Sequence, residues 1–117
     1  METSKLIERL PRIDLLDDGG YPTDDYLEYI KKYTGEVLPI NDFVEYVLQD
    51  GWWMPEWGFR LRRKYRGVRK LELHTGGWSG NEDIMEAILG NIHLTRREMQ
   101  YVMWRTGGHY YFEIPVL

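Results

Sequence analysis

An α+β domain, with short N-terminal helices packed on an antiparallel sheet, is predicted by three observations. Apolar residues recur at helical spacing up to Gly51, they alternate with polar ones from Phe59 onward, and glycine turns fall between the alternating runs. The resulting order is α-α-α-β-β-α-β-β. At 117 residues and 43% hydrophobic content, the whole span 1–117 is expected to form one compact domain. Such a domain buries roughly two-thirds of the surface its unfolded chain exposes.

The first helix is expected over 4–10, with Leu6, Ile7 and Leu10 on one side and Pro11 stopping it. Asp17-Asp18-Gly19-Gly20 and Pro22 then mark a loop. Thr23 is suited to cap a second helix over 24–33, where Asp24 and Asp25 meet the positive end of the helix dipole. Gly35 and Pro39 punctuate its end. Asn41 is expected to cap a third helix, 42–50, whose stripe is Phe43, Val44, Val47 and Leu48, with Gly51 as a left-handed C-cap. Trp52, Trp53 and Trp57 crowd a segment that Pro55 and Gly58 make too irregular for either period.

Strands are expected at 59–66 and 68–75, joined at Arg66-Gly67. Leu71 and Leu73 point to one face of the second strand, and Glu72 and His74 to the other. A helix over 80–90 follows, opened by a Ser79–Glu82 capping box. Residues 99–105 carry both periods, with Thr95 and Glu98 offering a helix start, but their Val and aromatic content favours a strand. Thr106-Gly107-Gly108 closes a hairpin onto a last strand, 109–114.

Charge divides the chain. Residues 1–58 hold 5 basic and 13 acidic side chains, a net of −8, whereas 59–117 hold 10 and 6, a net of +4. The excess lies in Arg60, Arg62, Arg63, Lys64, Arg66, Arg69 and Lys70, and strand alternation gives Arg60, Arg62, Lys64 and Arg66 a basic face. That face suits phosphate or nucleic acid, or simply a solvated edge that resists edge-to-edge pairing. The overall net charge of −4 favours the second account.

Two glycine-rich motifs carry the remaining information. In His74-Thr75-Gly76-Gly77-Trp78-Ser79-Gly80-Asn81-Glu82, the glycines permit backbone N–H groups to converge on an anion beside a helix start. Trp78 could stack on a planar ligand and Asn81 could read its polar edge; equally, Trp78 could be largely buried in the core, and the glycines could only turn a corner. In Arg105-Thr106-Gly107-Gly108-His109, the hairpin places Arg105 and His109 on its two flanks. The candidate ligand-binding set is therefore Gly76, Gly77, Trp78, Ser79, Asn81, Arg105 and His109. If His74 joins them, His74, His109 and Arg105 are candidates for acid–base cleavage of a phosphodiester, since imidazole titrates near neutrality and arginine stabilises phosphorane charge.

Other chemistry is poorly served. With no cysteine there is no disulfide, thiolate metal site or cysteine nucleophile. His74, His93 and His109 show no metal-ligand spacing, and Asp14, Asp17, Asp18, Asp24 and Asp25 lack the calcium-loop pattern, so no metal and no cofactor are expected. No apolar run approaches the roughly 18 residues of a membrane span, and no secretion signal is read at the N-terminus.

The stretch Thr75-Gly76-Gly77-Trp78-Ser79-Gly80-Asn81-Glu82, followed by Gly107-Gly108-His109-Tyr110 and Phe112-Glu113-Ile114, resembles a group of small phage and prophage proteins over about residues 71–114. The group has a basic residue directly before the paired glycines; this chain has Thr106 there, with Arg105 one place earlier. The resemblance implies an accessory role in the host-cell cytoplasm and carries no activity with it. The expected function is a non-enzymatic protein that binds a host protein or a phosphate-bearing small ligand, by analogy a counter-defence inhibitor. Two alternatives stay open: metal-independent phosphodiester cleavage by the histidine pair, and nucleic-acid binding by the basic face.

Overall fold

The computed structural model describes the backbone of residues 3–115, and within it every side chain except those at 3, 4, 101 and 103–105. Helices α1 (Thr3–Arg9), α2 (Asp24–Lys32), α3 (Ile40–Asp42) and the one-turn α4 (Pro55–Gly58) precede strands β1 (Phe59–Leu61) and β2 (Val68–His74). Helix α5 (Ser79–Leu89) then leads to β3 (Gln100–Arg105) and β4 (His109–Pro115). The four strands form one antiparallel sheet in the order β1-β2-β4-β3. This is the α+β architecture expected from the sequence, and residues 100–105 take the strand alternative.

Thr23 caps α2 as expected, its Oγ1 accepting the Tyr26 N–H at 3.1 Å while its hydroxyl donates to Asp14 O at 2.6 Å. Three other helix signals act differently. Asn41 lies inside α3, whose cap is Pro39, and its Oδ1 instead accepts from Arg69 at 3.4 Å. Gly51 is not left-handed; it is required because a Cβ there would run into the ring of Tyr26. Ser79 is the first residue of α5, and the N–H of Glu82 bonds to the Trp78 carbonyl at 3.1 Å, so no capping box forms. The third helix continues from α3 as a π-helical turn, Phe43–Leu48, which buries all four stripe residues Phe43, Val44, Val47 and Leu48.

One face of the sheet is covered. Leu71, Leu73, Phe112 and Ile114, at most 1% exposed, pack against Ile84, Met85 and Ile88 of α5 and Tyr26 and Ile30 of α2. Each such side chain contributes about 1.5–3 kcal/mol by leaving water. Asn91 ties the layers together where the π-helical Leu94–Glu98 turn begins. Its amide donates to Ile30 O at 2.8 Å and Tyr33 O at 2.9 Å, and its Oδ1 accepts the Leu94 N–H at 3.0 Å. These three bonds offset the cost of taking the amide out of water.

β1 is shorter than the predicted 59–66: the ladder ends at Leu61↔Leu71. Arg62, Arg63 and Lys64 are exposed, three like charges in a row that gain nothing from a ladder position. Lys64 is therefore off the strand, and the basic face on β1 reduces to Arg60, with Arg62 just beyond it. The chain then turns through Arg66 (φ 52°) and Gly67 (φ 80°), both left-handed, the two-residue hairpin geometry that matches strand twist.

Candidate functional site

Alternation along β2 and β4 sends every second side chain to the face opposite the helices. That open face carries Arg60 from β1, Lys70, Glu72 and His74 from β2, and His109, Tyr111 and Glu113 from β4. β2 and β4 are adjacent and pair His74 with His109, so these two histidines, 35 residues apart in sequence, become cross-strand neighbours. Their Nδ1 atoms lie 2.7 Å apart, with ring centroids at 4.8 Å. The backbone register also places Arg105 opposite His109, although the side chains of Arg105 and Trp104 fall outside those described.

The pair is anchored from behind. His74 Nε2 faces Glu72 Oε1 at 3.7 Å, and the other carboxylate oxygen of Glu72 takes both Nε and Nη2 of Arg62, each at 2.8 Å. Burial, the neighbouring His109 and Arg60 all hold the His74 pKa below the ordinary imidazole value, with Glu72 opposing them. At 2.7 Å one Nδ1 donates and the other accepts, the roles being set by the tautomers of the two rings. Through Glu72 and Tyr111 the pair adjoins a groove of about 450 Å³, lined also by Arg62, Lys70, Val102 and Glu113. That volume falls in the range of small-molecule sites, about 300–1,000 Å³. Among the described residues Lys70 and Arg60 enter no ion pair, whereas Arg62 is engaged by Glu72.

The first glycine motif splits away from this face after His74. Thr75 turns back to the covered side, 1% exposed, and its N–H bonds to Gly108 O at 2.9 Å. A Cβ on Gly108 would collide with the Thr75 hydroxyl, so the second glycine of the hairpin is needed for this close crossing. Gly76 and Gly77, at φ 63° and 74°, form the exposed turn that follows. Trp78 is half-buried, packed at 4.8 Å against Trp53 and at 4.5 Å against Tyr21.

Asn81 is 1% exposed, its amide turned away from solvent. Its Oδ1 accepts the Trp53 N–H at 3.0 Å and its Nδ2 donates to Trp53 O at 3.1 Å, pinning the irregular tryptophan segment to α5. Ser79 is exposed at the helix start. The candidate ligand-binding residues, with His74, are thus divided. The histidines meet on the open face, while Trp78 and Asn81 build the adjoining loop. Around that loop Tyr21, Trp53, Met54 and Trp57 remain 37–55% exposed.

Glu72, Tyr111 and Glu113 are site residues that the motif reading did not single out. Their signal was present in the alternation, which puts Glu72 beside His74 and Tyr111 beside His109. Among the described residues no group of three or more His, Cys, Asp or Glu converges as a metal cluster, and no helix is long and apolar enough to cross a membrane. No family model matches the chain, and comparisons with curated proteins and with solved structures give no match either.

Proposed function

We propose that the protein binds a small phosphate-bearing ligand, of the size of a nucleotide, on the open face of its sheet. The observation that carries this reading is the groove joined to the histidine pair, with Tyr111 as an aromatic wall and Lys70 and Arg60 as cations outside any ion pair of the described residues. A ring against Tyr111 and a phosphate drawn to Lys70 would use what the face offers. The two imidazoles bond to each other through Nδ1, so those nitrogens are engaged rather than offered separately as an acid and a base, which supports binding over paired acid–base chemistry. The accessory, phage-associated role implied by the motif resemblance belongs to the same proposal, in which the protein holds its ligand away from other users.

The test is calorimetric titration with a mononucleotide, inorganic phosphate and a short single-stranded RNA, at low and moderate salt and with chelator present. The mononucleotide is expected to bind, and Lys70→Ala to weaken it about tenfold, the worth of one charge-assisted hydrogen bond. Binding of RNA alone, with a steep salt dependence, would replace this reading with the basic-face one. Turnover of RNA in chelator would replace it with the cleavage reading. Silence from all three ligands would overturn it.

A further inference from the structure

The chain has three histidines, and two of them meet. His74 and His109 are register partners on adjacent antiparallel strands, where opposing Cβ atoms stand about 4.5–5.5 Å apart. The Thr75–Gly108 hydrogen bond fixes the same crossing one residue further along. Backbone pairing therefore presents the two rings together before any ligand arrives.

Tautomers follow from the surroundings. A neutral imidazole holds one N–H and one lone pair. Glu72, locked by Arg62 at 2.8 Å, stands 3.7 Å from Nε2 of His74, and its charge favours the tautomer with the N–H on that atom. The lone pair of His74 is then on Nδ1, aimed at Nδ1 of His109. An imidazole whose far nitrogen is oriented by an anchored carboxylate, and whose near nitrogen shares a gap with a second imidazole, has the outer-shell support of a metal-ligating histidine.

We propose that His74 and His109 chelate a divalent transition-metal ion of the zinc, copper or nickel class through their Nδ1 atoms. Metal–nitrogen distances of about 2.0–2.1 Å at a near-tetrahedral angle set the two nitrogens about 3.3–3.4 Å apart. The rings must open from 2.7 Å by about 0.6 Å, a small side-chain rotation beside Trp57 of α4 and Tyr111, which flank the His74 ring. Imidazole selects these ions over magnesium or calcium, which require oxygen ligands. With no third His, Cys, Asp or Glu converging among the described residues, the site is open: water or an anion completes the coordination, and a chelator removes the ion.

This goes beyond ligand binding in the groove and is tested without phosphate. The full chain is titrated with zinc, copper, nickel and, as a control, magnesium chloride, while the melting temperature and the histidine ring ¹⁵N shifts are recorded. At least one of the three transition metals is expected to raise the melting temperature by about 5–10 °C at roughly 100 times its dissociation constant, and magnesium to leave it unchanged. Nδ1 of both histidines should shift, with Nε2 of His74 remaining protonated. His74→Gln and His109→Gln should each abolish the response with native dispersion in the amide spectrum retained. Glu72→Gln should weaken binding about 10–100-fold, the usual worth of an outer-shell carboxylate. His93→Gln should change nothing, since His93 pairs with Glu98 at 2.9 Å. A response that survives His109→Gln, or none to zinc, copper or nickel, overturns the metal site and leaves the pair a hydrogen bond. Neither result bears on nucleotide binding, which the calorimetry in chelator reads separately.

Discussion

The two faces of the sheet are built from the same strands and behave as different materials. On β2, Leu71 and Leu73 are fully buried while Lys70, Glu72 and His74 between and beside them are not; on β4, Phe112 and Ile114 are buried while His109, Tyr111 and Glu113 are only half-buried. A one-residue slip would exchange the faces, so the packing that makes the fold also fixes which side chains can meet a ligand. Stability and recognition are thereby separated by a single residue step. Substitutions on each face should report different quantities.

The largest effect is expected on the covered side. Phe112→Ala should cost about 3–5 kcal/mol in denaturant unfolding, because an aromatic ring leaves a cavity between the sheet and its helices. A loss under about 1 kcal/mol would mean that the two faces are less distinct than the burial indicates. Asn81→Ala should come next, at about 1–3 kcal/mol, since the Trp53 N–H and carbonyl lose their partner amide. Ligand titrations on this variant separate the loop from the open face: binding should survive wherever the variant is folded.

A third effect has a sign. The folded-state pKa of His74 is lowered, chiefly by burial and then by His109, below the unfolded value of about 6.5. As pH falls, the unfolded chain takes up this proton first. The stabilisation is therefore present above that unfolded value and is lost as pH drops through the lowered one. Unfolding measured from about pH 7 down to about pH 5 should show this slope, and His74→Gln should flatten it. An unchanged slope in the variant would assign the pH dependence elsewhere. The smallest effect is Lys70→Ala, which should move stability by less than about 0.5 kcal/mol while weakening the ligand.

Much of the fold was legible because it depends on local periodicity. The apolar stripe from Phe43 to Leu48, the Thr23 cap, and the turns at Arg66-Gly67 and Gly107-Gly108 need only near neighbours to be read. What failed depends on contacts distant in sequence. Gly51 looked like a helix terminator and is instead dictated by Tyr26. Asn81 has the side chain of a ligand reader, yet its amide is taken up by Trp53, 28 residues away. The convergence of His74 and His109 was conditional on strand order, which periodicity does not contain. Once β4 lies beside β2, register makes them partners, and Glu72 and Tyr111 follow by alternation.

The central claim is that the open face is the functional one. An amide ¹H–¹⁵N titration with a mononucleotide tests it most directly. The account predicts shifts confined to residues 60–62, 70–74 and 109–113, growing with ligand and needing about tenfold more of it in Lys70→Ala. Shifts confined instead to the exposed hydrophobic residues Tyr21, Trp53, Met54 and Trp57, or none at ligand saturating any weak site, would contradict it.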